Sequence, residues 1–190
     1  IYRITYPSRP LVEPAKVAGA TIEELLNNLK LPEYRTRYRI RRELRGRNAS
    51  DVLTALTHWV ASLDKQDPKY EHHVLEALWV SWGLNRVDQF LLRQMLKATD
   101  YKARAAAVQV LRYTGHQVTD QAELLMQSAK DENSRVRLQT IVAASWLPKD
   151  VGMPIVMEAG KLPLDEWMVN PYEEAIAHLN GTSVQEKKDE

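Results

Sequence analysis

The sequence predicts an all-α protein, a right-handed α-solenoid built from about five helix pairs. The first observation is a recurring charged position, at spacings of 34, 33 and 33 residues, occupied by Arg37, Glu71, Arg104 and Arg137. The second is an apolar residue seven positions after each of these, at Leu44, Leu78, Leu111 and Ala144. A period of this length, with its apolar face in phase, is typical of stacked helix pairs.

The ends of the chain differ from the repeats in composition. Residues 1–6, IYRITY, alternate apolar and polar side chains and predict one short extended strand. Pro7, Pro10 and Pro14 then predict an extended linker as far as residue 16. The solenoid is expected over 17–181, and the polar segment 182–190 is expected to be a disordered tail.

Capping signals and apolar periodicity give the helix pairs. A capping box at Thr21–Glu24 begins the first helix, and its partner is expected at 33–45, before Gly46. The next three pairs are predicted at 51–63 with 68–82, 87–98 with 101–114, and 121–130 with 133–147. Their expected caps include Ser50 and the combination of Asp120 with Glu123, and the last pair is predicted at 153–159 and, from an Asn170-Pro171 cap, to Leu179.

Charge and composition exclude several kinds of protein. The net charge is +1, but residues 1–47 hold 11 Lys and Arg against 5 Asp and Glu, so the positive charge is concentrated at one end. The absence of Cys excludes disulfides, thiolate metal sites, a Cys nucleophile and covalent haem attachment within this segment. No apolar run has the roughly 18–20 residues of a membrane span.

The repeats resemble HEAT repeats, most plainly in the segment DENSRVR at 131–137, which is followed by Ala143-Ala144. In that family an Asp and an Arg pair between adjacent repeats and form a ladder along the solenoid. The resemblance implies that Asp100, Arg104, Asp131 and Arg137 occupy ladder positions in the later repeats, and Arg37 in the first. The second repeat has Glu71 in place of the Arg, so the ladder is expected to be complete only in the later repeats.

A second resemblance covers almost the whole chain. IYRITY, PEYRTRYRIRRELRGR (32–47), DPKYEHHVLEALWV (67–80) and RVRLQTIVAASWL (135–147) are similar to the middle of large envelope proteins of Planctomycetes, Verrucomicrobia and Bacteroidetes. Those proteins are described as membrane-bound dehydrogenases or haem-binding proteins. The resemblance implies an upstream dehydrogenase-like β-propeller, whose last strand would be residues 1–6, and a downstream cytochrome c domain with haem c. It also implies a periplasmic or cell-envelope location and no cofactor in this segment.

The densest candidate site is a run of seven arginines within residues 35–47, interleaved with Tyr34 and Tyr38. The candidates for binding a partner or an anion are Arg35, Arg39, Arg42, Arg45 and Arg47, whereas Arg37 is assigned to the ladder. Docking onto an acidic protein surface is the favoured interpretation, and a small anionic ligand is an alternative. A further alternative is nucleic acid, because some HEAT-like proteins are alkylpurine DNA glycosylases, but a duplex requires positive charge across several repeats.

No pattern of residues predicts a catalytic centre. The sequence has no glycine-rich phosphate loop, nucleophile elbow or HExxH motif. His72 and His73 are adjacent, and adjacent helical residues point about 100° apart, so together they are a poor chelate for one metal ion. The sequence therefore predicts a non-catalytic, monomeric scaffold whose partner is a protein, either a flanking domain of a longer chain or another acidic protein.

Overall fold

The computed structural model describes residue 8 and residues 13–182. The predicted strand at 1–6 lies outside these described residues, as does the predicted tail at 182–190 apart from its first residue, Thr182. All regular secondary structure within 13–182 is helical, which confirms the predicted all-α solenoid class. The ten α-helices of this part are α1 (Ile22–Asn28), α2 (Tyr34–Arg45), α3 (Ala49–Ala61), α4 (Tyr70–Gly83), α5 (Gln89–Met95), α6 (Tyr101–Thr114), α7 (Gln121–Ser128), α8 (Ser134–Ala144), α9 (Lys149–Ala159) and α10 (Glu166–Asn180).

The chain divides into two compact units, with the boundary after Ala61. In the first unit, α1 packs against both α2 and α3. Its core consists of apolar side chains at helical spacing: Leu25, Leu26, Leu29, Ile40, Leu44, Val52 and Leu56. Trp59 packs at the edge of this core and donates a hydrogen bond from Nε1 to Oδ1 of Asn27, at 3.2 Å.

The second unit contains α4 to α10, and its helices pack against one another in the order expected for a solenoid. The second helices of successive repeats follow one another, because α4 packs against α6, α6 against α8, and α8 against α10. Helices α5, α7 and α9 each pack against the second helix of their own pair. Leu78, Leu111 and Ala144, the apolar register residues of this unit, are fully buried. The 33-residue period is therefore the period of this core.

The predicted caps are partly right. Thr21 and Glu24 form the capping box, in which each side chain accepts a hydrogen bond from the backbone N–H of the other residue (3.1 and 2.8 Å). The prediction of Ser50 as a cap is wrong, because α3 begins at Ala49, two residues before the predicted start, and the side chain of Asn48 accepts from the N–H groups of Ser50 and Asp51. The side chain of Asp120 makes no capping bond to α7, because it binds an arginine instead.

The last two helices begin earlier than the sequence predicts. Helix α9 starts at Lys149 rather than residue 153, and α10 starts at Glu166 rather than at the predicted Asn170-Pro171 cap. Pro154 and Pro171 each lie at the sixth position of their helix, so each removes the hydrogen bond that this position would donate to the carbonyl group four residues earlier. Gly152 permits the close approach of α9 to α8, since a Cβ there would meet the carbonyl oxygen of Ala144.

Candidate functional site

The arginine run lies on α2 and is divided between two faces of that helix. Ile40 and Leu44 are fully buried against the core of the first unit. The opposite side is exposed and is formed by Tyr34, Arg35, Tyr38, Arg39, Arg42 and Arg45, which we call the arginine face. The two tyrosines in it are 63% and 48% exposed, which is unusually high for aromatic side chains and leaves them available to a partner.

Contacts within the arginine face are weak and leave most of its charge unneutralised. The guanidinium of Arg42 lies 6.0 Å from the ring centroid of Tyr38, and that of Arg41 lies 5.8 Å from the ring of Tyr34. Among the described residues, Arg35, Arg39 and Arg45 make no ion pair with a carboxylate. Because like charges on one helix turn repel each other, a bound anionic group would relieve an unfavourable interaction.

Arg47, another predicted binding residue, is not part of the arginine face. It is half-buried and donates to Oε1 of Glu43 from both Nη2 (2.7 Å) and Nε (3.2 Å). Nη2 also donates to the carbonyl oxygen of Ala20, at 3.2 Å. Arg47 therefore joins the end of α2 to the segment before α1, and its hydrogen-bonding capacity is largely used within the first unit.

Three register arginines share one structural role that the sequence did not reveal. In each case Nη1 donates to the carbonyl oxygens six and five residues earlier, in the turn that precedes the helix of that arginine. Arg37 binds Leu31 and Pro32 in this way, at 2.8 and 2.6 Å. The equivalent bonds run from Arg104 to Ala98 and Thr99, and from Arg137 to Asp131 and Glu132. Each arginine satisfies carbonyl groups left unpaired after the preceding helix.

Arg104 also makes the inter-repeat ion pair of the second unit. Its Nε and Nη2 donate to the two carboxylate oxygens of Asp131, at 2.7 and 2.9 Å. The side chains are 14% and 12% exposed, so solvent screens this pair little. The hydrogen bonds to Asp131 raise the pKa of Arg104 above its ordinary value. Arg137 is buried and reaches the following turn differently, by donating to the carbonyl oxygen of Pro163 at 2.6 Å.

Asp100 does not pair with an arginine, and Glu71 contributes to an inter-repeat contact although it replaces the arginine of the repeat pattern. The carboxylate of Asp100 caps α6 by accepting from the N–H of Lys102, at 2.9 Å, rather than pairing with an arginine. Glu71, at the position where the repeat pattern expects arginine, accepts from the N–H groups of Thr99 and Asp100, at 2.7 and 2.9 Å. The second repeat therefore joins the next one through a carboxylate and backbone N–H groups.

Sequence reasoning missed a second inter-repeat ion pair. Arg93 on α5 donates from Nη1 and Nη2 to the two carboxylate oxygens of Asp120, at 2.7 and 2.9 Å. This hydrogen bonding lowers the pKa of Asp120 and raises that of Arg93. A signal was present in the sequence, because Arg93 precedes Asp120 by 27 residues, as Arg104 precedes Asp131.

His72 and His73 face different carboxylates, with Nε2 of His72 3.6 Å from Glu76 and Nδ1 of His73 3.8 Å from Asp67. No group of three or more potential ligands within the described part of the chain is placed to hold a metal ion. Over the same residues, every helix is too short or too polar to cross a bilayer.

Comparison with known proteins supports the repeat assignment. A family model for HEAT repeats matches residues 87–168. This range includes most of the second unit, with α5 to α9, the start of α10 and both bidentate Arg–Asp pairs. No curated protein and no solved structure matches the chain. Residues 87–168 are therefore a HEAT-like repeat segment, and the regular secondary structure of the described residues around it is also helical.

Proposed function

We propose that this chain is a non-catalytic repeat scaffold that connects two domains of a larger protein through protein–protein contacts. In this proposal, the upstream domain is the dehydrogenase-like β-propeller and the downstream domain is the cytochrome c domain that the resemblance implies. Haem c would belong to that downstream domain, and the protein would act in the periplasm or cell envelope. The arginine face docks onto an acidic surface of a neighbouring domain or of another acidic protein.

The observation that carries the proposal is the exposure of the arginine face. Arg35, Arg39 and Arg45 are exposed and, among the described residues, have no carboxylate partner. Tyr34 and Tyr38 lie between them and are also exposed. Tyrosine and arginine are the residues that protein interfaces favour at their energetically important positions. An acidic protein surface would supply the missing carboxylates.

The repeat segment supports the same conclusion. HEAT repeats typically mediate protein interactions and are generally non-enzymatic. Each repeat contacts its neighbours along the chain, so a solenoid can hold two flanking domains at a defined separation. The ion pair Arg104–Asp131 and the pair Arg93–Asp120 join successive repeats of the second unit and would resist bending of this spacer.

Arginine footprinting tests the proposal. The polypeptide in its longest natural form and the isolated 190-residue chain are treated with phenylglyoxal, and modification of each arginine is measured by mass spectrometry. We expect Arg35, Arg39 and Arg45 to be protected in the long form and reactive in the isolated chain. Arg86, which is exposed in the second unit and belongs to no proposed binding surface, is the matched control and should react equally in both.

Two results would contradict the proposal. Equal reactivity of the arginine face in the two forms would exclude docking onto a neighbouring domain. A long form whose reduced spectrum shows no haem c absorption would exclude the proposed link to a cytochrome domain, even if the arginine face were protected.

Nucleic acid is the second candidate partner, because exposed tyrosines among arginines can also stack on bases while the guanidiniums bind phosphates. The charge distribution opposes it, since the positive excess is confined to residues 1–47 and the rest of the chain is net negative. A duplex binder would need contacts across several repeats. A salt-dependent DNA titration separates the two candidates.

A further inference from the structure

The second unit has a polar groove between two consecutive second helices. The groove has a volume of about 370 Å³ and lies on the exposed side of α6 and α8. Ala105 and Ala106 contribute to its lining, and their small side chains leave the space open. Its polar lining residues are Lys102, Gln109, Arg135 and Gln139.

These four polar side chains have unused hydrogen-bonding capacity. Among the described residues, Lys102 and Arg135 make no ion pair, and the amide groups of Gln109 and Gln139 make no hydrogen bond. Lys102 makes a cation–π contact, with its Nζ atom 5.8 Å from the centroid of the Tyr101 ring. No carboxylate lines the groove. Two cations and two amides therefore face the same space with nothing anionic between them.

The positions of the two cations are unfavourable for helix stability. Lys102 is the second residue of α6, and Arg135 is the second residue of α8. A positive charge in the first turn opposes the helix dipole, which favours carboxylates there. The two residues are 33 apart and so occupy the same position in successive repeats. The same unfavourable position for a cation is therefore occupied in two successive repeats.

We propose that this groove binds an extended acidic peptide segment of a partner protein. A carboxylate side chain of the peptide lies between Lys102 and Arg135 and binds both cations. The amides of Gln109 and Gln139 hydrogen-bond to the peptide backbone further along the groove. This inference rests on the proposed scaffold function and assigns it a second, separate binding site.

The dimensions and polarity of the groove favour a peptide over a small molecule. Lys102 and Gln109 are seven residues apart, which is about 10 Å along a helix and the length of about three residues of extended chain. Pockets for small molecules are mostly apolar and enclose their ligand, whereas this groove is open and is lined about equally by polar and apolar atoms. The amides at one end of the groove can bind the backbone of a peptide, and the cations at the other end can bind an acidic side chain of the same peptide.

The test uses the full 190-residue chain and a fluorescein-labelled decapeptide of alternating glutamate and serine. To remove binding by the arginine face, every titration is made in an Arg35→Gln/Arg39→Gln/Arg42→Gln background. The groove variant is Lys102→Gln/Arg135→Gln, and the matched control, which removes the same charge elsewhere in the second unit, is Arg86→Gln/Lys149→Gln. Fluorescence anisotropy gives the dissociation constant, and thermal unfolding is measured on the same samples.

We expect the groove variant to weaken binding of the acidic peptide by about tenfold and the control by no more than about twofold. The groove variant should keep or slightly raise the melting temperature, because it removes cations from two helix N-termini. Gln109→Ala/Gln139→Ala should also weaken binding, without changing net charge. A decapeptide of alternating glutamine and serine should not bind measurably.

Several results would overturn the proposal. Equal weakening by the groove variant and its control would show that only net charge matters. A lower melting temperature for the groove variant would indicate a structural role for the two cations. Displacement of the peptide by inorganic phosphate at similar concentration, or tighter binding of a single-stranded oligonucleotide, would assign the groove to another ligand class. Loss of all peptide binding in the background variant would refute the groove but leave docking by the arginine face intact.

Discussion

Asp131→Ala removes the acceptor of the better buried inter-repeat ion pair. It eliminates two hydrogen bonds from Arg104 and one from the N–H of Asn133 (2.8 Å). Breaking a buried ion pair by removing one partner typically costs 3–5 kcal/mol. Arg104 keeps its bonds to two carbonyl groups, and its side chain remains 14% exposed, so we expect about 3 kcal/mol, at the low end of that range. This corresponds to a melting temperature lower by roughly 10 °C.

The pair Arg93–Asp120 provides a control with matched geometry. Its two hydrogen bonds have the same lengths, 2.7 and 2.9 Å, but its side chains are 39% and 31% exposed. Because solvent screens this pair more strongly, Asp120→Ala should lower the melting temperature only slightly, and by clearly less than Asp131→Ala does. Thermal and urea unfolding, followed by circular dichroism, measure both variants. Equal losses for Asp131→Ala and Asp120→Ala would refute the argument that burial determines the stability each pair contributes.

Three further predictions concern other parts of the second unit. Glu71→Arg, which introduces the residue expected from the repeat pattern, should destabilise the chain by about 1–2 kcal/mol, because it removes the acceptor of two backbone N–H groups. Leu111→Asp should unfold the second unit, since it buries a charge at a fully buried position, whereas Gln109→Asp on the exposed side of the same helix should not. Asp120→Asn should reduce stability at neutral pH, and its difference from wild type should shrink as pH falls below about 4, because the hydrogen bonds from Arg93 lower the pKa of the Asp120 carboxyl only in the folded state.

Each of these predictions has a result that would contradict it. A Glu71→Arg variant as stable as the wild type in urea unfolding would mean that the two backbone bonds contribute nothing. A Leu111→Asp variant that keeps the wild-type melting temperature would exclude Leu111 from the core. The pH prediction is contradicted if Asp120→Asn reduces stability most in acid. A carboxyl with a lowered folded-state pKa stabilises the fold only above the pH at which it is protonated.

The regular core of the repeats was predictable from the sequence. The 33-residue register placed Leu78, Leu111 and Ala144 in the core because each repeat buries its apolar face against its neighbours in the same way. Local capping chemistry was also readable at Thr21 and Glu24, three residues apart, where each side chain accepts a hydrogen bond from the backbone N–H of the other residue. Periodicity and local chemistry are properties that short stretches of sequence specify by themselves.

The features that escaped prediction depend on tertiary contacts. Asp120 looked like a helix cap in the sequence, but Arg93 from the preceding repeat binds its carboxylate instead. In the sequence, Glu71 only interrupts the series of repeated arginines. Its role as a hydrogen-bond acceptor depends on the backbone N–H groups of the turn before α6, which the sequence does not place. The start of α9 before Gly152 follows from close packing on α8, which composition alone does not reveal.

The most direct test of a protein-facing scaffold is a salt-dependent titration of the chain against duplex DNA. The comparison variant is Arg35→Glu/Arg39→Glu/Arg42→Glu, which reverses the charge of the arginine face without altering buried residues. If α2 docks onto protein, binding should be no tighter than about 10⁻⁴ M at physiological salt, a weak non-specific background. Much tighter binding with a steep salt dependence, lost in the charge-reversed variant, would contradict the scaffold proposal and identify α2 as a nucleic-acid interface.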